Sequence, residues 1–94
     1  MEHDNQLIKN TLEEYGQGLE EIIKAKKERL LYLKKEFYKF KISNEFKLFI
    51  NETSNNAEGD YLLTEIDDLE KEIRILENKF KRYHDYKDMK LKDL

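Results

Sequence analysis

The sequence predicts an all-α fold, an antiparallel coiled-coil helical hairpin with a short additional helix at its N-terminus. The 94-residue chain contains no proline, and its three glycines are Gly16, Gly18 and Gly59, so two long segments lack any helix breaker. In both segments apolar residues recur at alternating intervals of four and three, which is the pattern of a coiled coil. Hydrophobic residues make up 38% of the chain and charged residues 41%. The core of this single domain, residues 1–94, is therefore expected to be a narrow seam between helices.

The first predicted element is a short helix over residues 4–15, with Asp4 available as its N-cap. Its apolar positions are Ile8, Leu12 and Tyr15. Two glycines follow within residues 16–18, and they cost a continuous helix about 2 kcal/mol, so we expect a break there. If the first helix folds back, three helices share one core; if it continues straight, the coiled coil is longer.

The second predicted element is a long helix over residues 19–50. Its seam positions are Leu19, Ile23, Lys26, Leu30, Leu33, Phe37 and Phe40. Lys26 is the one polar member. We expect its aliphatic stem to lie along the seam while its ammonium group reaches Glu72 or Glu77.

The end of that helix, residues 37–50, has two interpretations. The segment also alternates as a β-hairpin would, around a loop at residues 43–45. That pairing sets Lys41 opposite Lys47, and an isolated hairpin is only marginally stable. We therefore favour a helix that is kinked near Ser43 and Asn44.

A polar loop over residues 51–59 and a second long helix over residues 60–90 complete the prediction, with Asp60 as the N-cap. The seam positions of this helix are Leu62, Ile66, Leu69, Ile73, Leu76, Phe80 and Tyr83. Antiparallel packing of the two seams then places Leu19 opposite Tyr83 and Phe40 opposite Leu62. Charge supports the hairpin, since residues 19–50 hold nine bases and five acids and residues 51–70 hold seven acids and no base.

No catalytic, phosphate-binding or metal-binding motif is recognisable in the sequence, so neither an enzyme nor a cofactor is expected. The absence of cysteine rules out a disulfide framework, which favours the cytoplasm. No apolar run is long enough to span a bilayer. Lysine outnumbers arginine fifteen to three, and this usage is typical of an AT-rich genome, such as that of a low-GC bacterium, its phages or mobile elements, or an AT-rich protist.

The function that fits these exclusions is binding to another protein, as a small regulator, inhibitor or assembly subunit. More apolar side chains occur near the end of the first long helix than one seam can bury, and a surplus apolar patch marks an interface. An acidic row on the second helix is a further candidate contact. The predicted protein-binding residues are Tyr38, Ile42, Phe46, Phe49, Ile50, Glu65, Asp68 and Glu72. The first short helix, a second copy of the chain in a homodimer, or a foreign protein are the three candidates to cover the patch.

The alternative function is nucleic-acid binding through the basic and aromatic segment 24–41. The lysines that would contact phosphates are Lys24, Lys27, Lys34, Lys35, Lys39 and Lys41. Against this alternative stand the net charge of −3 and the acidic block expected to fold beside the same segment.

Overall fold

The chain folds into two long helices that pack side by side as a hairpin. In a computed structural model, which describes residues 2–54 and 57–94, α1 spans Glu2–Phe49 and α2 spans Ala57–Lys92. The hairpin measures 75 × 16 × 14 Å, and its length agrees with the rise of about 72 Å expected for a helix as long as α1. The predicted all-α hairpin is confirmed, and no strand occurs in the two described ranges.

The predicted third helix is wrong, because α1 runs without a break through Gly16 and Gly18. A Cβ atom on Gly16 would lie 3.1 Å from Cε1 of Tyr83 on α2, so this glycine allows a close approach between the helices instead of ending one of them. Upstream of it Leu12 is buried, and its carbonyl oxygen accepts a hydrogen bond from the Tyr83 hydroxyl. The N-terminal segment therefore covers the last turns of α2, which would otherwise have no partner.

The core is a single seam along the facing sides of the two helices. Its buried apolar members are Leu12, Leu19, Ile23, Leu33, Ile66 and Ile73. Along both helices the less exposed positions recur at intervals of three and four, as the sequence pattern predicts. None of the described side chains is fully buried, so the hairpin is held by a row of partly covered contacts.

The predicted register of the two helices is wrong by about one turn. Tyr83 lies against Gly16, where the predicted register has Leu19, and Phe40 lies against Gly59, where it has Leu62. Each contact is displaced by three residues along the helix from the predicted one. A heptad pattern permits such a slip because the 4-3 spacing repeats along each helix, and the glycines decide it because they make room for the two aromatic rings.

Among the described residues, four ion pairs join the helices beside the seam. Lys26 Nζ lies 2.6 Å from Glu72 Oε1, which confirms the predicted position of the one polar seam residue. The others join Lys27 to Glu77 at 3.6 Å, Lys34 to Glu70 at 3.3 Å and Lys87 to Glu13. All eight side chains keep contact with solvent, so each pair contributes little to stability, although together they favour the antiparallel arrangement.

Residues 37–49 are helical, so helix rather than β-hairpin is the correct interpretation of this segment. The helix ends in a Schellman motif around Asn51, which has a positive φ of 63°. The Glu52 amide donates to the Lys47 carbonyl at 2.7 Å, and the Asn51 amide donates to the Leu48 carbonyl at 3.1 Å. These two hydrogen bonds pair carbonyl groups of the last turn and start the chain back toward α2.

The Asn51 position gives a test of this helix end. Asn51→Gly should raise the free energy of unfolding by up to about 1 kcal/mol, because glycine adopts a positive φ without strain. Asn51→Val should lower it by about 1–2 kcal/mol, because a β-branched residue tolerates that conformation poorly. Urea denaturation followed by circular dichroism measures both changes. Equal stabilities of the two variants would contradict the assigned geometry.

The second helix begins earlier than predicted. Since α2 starts at Ala57, residues 57–59 of the predicted loop are helical, and Asp60 lies inside the first turns instead of at the N-cap. Residues 51–54 are not helical, as expected, and residues 55 and 56 lie outside the described residues. Glu58 and Asp60 near the start and Lys90 and Lys92 near the end complement the helix dipole.

Candidate protein-binding surface

The C-terminal turns of α1 extend beyond the start of α2. Phe40 lies against Gly59, and α2 begins only two residues before that glycine. In the same register, α1 continues for about two helical turns past the level at which α2 begins.

The apolar side chains near the C-terminal end of α1 that the sequence singles out are all exposed. We call them the outer patch: Tyr38 at 56% relative exposure, Ile42 at 63%, Phe46 at 59%, Phe49 at 84% and Ile50 at 43%. The first four recur at intervals of three and four on the side of α1 that points away from the seam. The N-terminal segment does not cover them, since it packs against the far end of α2.

Two more apolar side chains that the sequence reasoning missed extend this surface. Leu31 is 55% exposed and Leu48 is 60% exposed. Leu31 begins a second 4-3 row on the outer side of α1, which we call the outer row: Leu31, Lys35, Tyr38, Ile42, Glu45 and Phe49. The same spacing that predicts the seam identifies this row, but its two charged members interrupt the apolar pattern and hide it.

Lysines lie next to members of the outer patch along α1. Lys39, Lys41 and Lys47 are exposed, and none of the three forms an ion pair with a residue in the described part of the chain. Aromatic side chains inside a charged rim are the usual composition of a protein-binding hot spot.

The predicted acidic row is less available than the outer patch. Glu65, Asp68 and Glu72 share one face of α2, as expected from their spacing. However, the Glu72 carboxylate is paired with Lys26, and Glu65 accepts a hydrogen bond from the Tyr61 hydroxyl, which raises the pKa of Tyr61. Two of the three carboxylates are thus already engaged within the hairpin.

Two of the six lysines proposed for nucleic-acid binding are engaged within the hairpin. Lys27 and Lys34 pair with Glu77 and Glu70 across the seam. The remaining four, Lys24, Lys35, Lys39 and Lys41, are exposed and make no ion pair within residues 4–54 and 57–94. The acidic helix therefore neutralises part of the basic segment, as the charge distribution along the sequence predicts.

The open end of the hairpin carries a cluster of tyrosines that the sequence reasoning did not foresee. The ring of Tyr83 lies 5.0 Å from that of Tyr15 and 6.2 Å from that of Tyr86, and burial raises the pKa of Tyr83. Beside them, the hydrogen bond from Lys87 lowers the pKa of Glu13 and raises that of Lys87. This end is held together by contacts between the helices.

The described residues contain neither a cluster of metal ligands nor a membrane-spanning helix. Among the described side chains, no group of three or more His, Cys, Asp or Glu residues is placed to hold a metal ion. Neither helix, over its described length, is apolar enough to cross a bilayer. No protein-family profile, curated protein or solved structure gives a significant match to this chain.

Proposed function

We propose that this protein is a non-enzymatic protein-binding module, a small regulator, inhibitor or assembly subunit, that acts through the outer patch. The observation that carries the proposal is the exposure of Tyr38, Ile42, Phe46 and Phe49 on one side of a helix whose other side already supplies the seam. Apolar patches of this kind on small soluble proteins mark sites of contact with other molecules.

The net charge and the pairing of the lysines favour a protein partner over a nucleic acid. The chain has a net charge of −3, and two of the six candidate lysines are paired with glutamates. Binding to DNA or RNA takes most of its affinity from unpaired cations along the contact. Apolar side chains with lysines at their edge instead match the core and rim of a protein interface.

The proposal is tested by capture from a lysate of the source cell with three tagged proteins: wild type, Ile42→Glu and Ile75→Glu. Ile75 is a matched control, because it is exposed to 67% on α2 and lies away from the outer patch. We expect wild type and Ile75→Glu to retain the same partner, which can be a foreign protein or a second copy of the chain. Ile42→Glu should lose about 2 kcal/mol or more of affinity for that partner.

Two results would contradict the proposal. One is equal retention of every captured protein by Ile42→Glu and wild type. The other is micromolar binding of a random oligonucleotide at low salt that weakens when Lys35 and Lys39 are replaced by glutamine, since this result would favour the nucleic-acid alternative.

A further inference from the structure

We infer that the outer row binds a second copy of this chain in an antiparallel pair, with the two-fold axis on the side away from the seam, at the level of residue 40. This inference rests on the proposed function, because it names the partner of the same surface. Its basis is the order of the six side chains in the outer row, which is complementary to itself when the row is reversed.

Antiparallel helices bring an a position of one heptad opposite a d position of the other. Centred on residue 40, the pairing sets Leu31 opposite Phe49 of the second copy and Tyr38 opposite Ile42. The two charged members, Lys35 and Glu45, then also meet. Every layer of the row is thus either apolar on both sides or an ion pair, and the charges that interrupt the apolar pattern become part of the match.

Other registers lack this agreement. A shift by one heptad toward the bend sets Ile42 opposite Glu45, and a shift the other way sets Phe49 opposite Lys24. A parallel pair sets Lys35 against Lys35 and Glu45 against Glu45. Layers that pair an apolar with a charged side chain weaken binding, and so do contacts between like charges. The outer row therefore specifies one orientation and one register.

The exposed area is sufficient for a weak dimer. Phe and Tyr side chains each offer about 150–250 Å² for burial, and the side chains of the row and Phe46 are more than half exposed where they are apolar. Each copy therefore contributes on the order of 500 Å², and the pair buries about 1,000 Å², which is the lower bound for a specific interface. Lys39 and Lys41 meet their own copies near the axis, so we expect a dissociation constant in the micromolar range.

Sedimentation equilibrium of wild type, Lys35→Glu, Glu45→Lys and the double variant tests the pairing. Each single change replaces two ion pairs by two like-charge contacts and should weaken the dimer about tenfold or more. The double variant restores both ion pairs and should dimerise as wild type does. A mixture of the two single variants should form a mixed dimer, because each supplies the charge that the other lacks.

Lys71→Glu is the control, since it makes the same charge change at an exposed position of α2 and should leave the dimer unaffected. Circular dichroism checks that each variant stays helical. Small-angle scattering adds an independent measurement: the bend lies about 17 Å from the axis, so the staggered pair should be about 115 Å long, against 75 Å for one hairpin.

A monomer at every concentration up to about 100 µM would overturn the inference, as would a dimer that the single charge variants leave unchanged. These failures are distinct from failure of the proposed function. A monomer that still captures a foreign protein through Ile42 refutes only the pairing of copies, whereas a monomer that captures nothing through Ile42 refutes both proposals.

Discussion

Replacing Ile73 by aspartate is expected to lower the free energy of unfolding by about 4 kcal/mol or more, which is a large part of the total for a chain of this length. Ile73 is 5% exposed at the centre of α2 and belongs to the seam. Aspartate there loses the apolar contact and places a carboxylate where few polar groups can solvate it. Urea denaturation followed by circular dichroism at 222 nm measures the loss.

Ile75→Asp is the matched control for this experiment. Ile75 lies on the same helix two residues away, but it is 67% exposed, so the same substitution should change the free energy of unfolding by about 0.5 kcal/mol or less. Equal losses in the two variants would mean that α2 does not present Ile73 to α1, which would contradict the helical hairpin.

The seam itself could be predicted from the sequence because its signal is local. Residues at 4-3 spacing on an α-helix share one side, whatever lies elsewhere in the chain. The members Leu19 to Phe40 and Leu62 to Tyr83 are accordingly the less exposed residues of the two helices. Lys26 follows the same logic, since its stem lies at the seam and its ammonium group reaches Glu72.

The register could not be predicted in the same way, because it depends on how side chains of different size fit across the seam. A heptad pattern by itself matches at every half-heptad step, and apolar residues alone favour Phe40 opposite Leu62. The structure instead sets Phe40 against Gly59 and Tyr83 against Gly16, so each large ring faces a residue without a side chain. Helix propensity marks glycine as a helix breaker, whereas in this hairpin its missing side chain leaves space for an aromatic ring.

The continuity of α1 through Gly16 and Gly18 also depends on contacts between the helices. The two glycines near residue 16 lower the helix propensity by about 2 kcal/mol, but tertiary contacts outweigh a propensity of that size. Upstream of them Leu12 is buried, Tyr83 donates its hydroxyl hydrogen to the Leu12 carbonyl, and Lys87 pairs with Glu13. A break at Gly16 would remove all three contacts.

The outer patch was predictable as a surplus of apolar residues, but its setting was not. Tyr38 and Ile42 are exposed because they lie opposite the seam, which helical periodicity indicates. Phe46 and Phe49 lie on the part of α1 that extends past the start of α2 at the bend. The length of this part depends on the register and on the start of α2 at Ala57. Neither of these follows from the spacing of apolar residues alone.

Glycine at position 59 leads to the second large expected effect. Gly59→Ala should lower the free energy of unfolding by about 1–3 kcal/mol, even though alanine is the better helix former. Gly59 is buried, and a Cβ atom there would lie 2.6 Å from Cε1 and 2.9 Å from Cδ1 of Phe40, closer than such atoms approach in proteins. The ring or the helix must shift. Thermal unfolding of the variant beside wild type measures the cost.

Gly18→Ala serves as the opposite case, because no atom beyond its chain neighbours and the local helix backbone lies within 4 Å of the Cβ position at Gly18. It should raise the free energy of unfolding by about 0.5–1 kcal/mol through helix propensity alone. A smaller side chain at position 40 should offset the change at Gly59. In the double variant Gly59→Ala with Phe40→Leu, we expect the free energy of unfolding to fall by clearly less than the sum of the two single losses. The reason is that the methyl group then occupies space that the ring has left. Strict additivity of the two changes, or stabilisation by Gly59→Ala, would show that Phe40 does not pack on Gly59, and the register of the two helices would have to be revised.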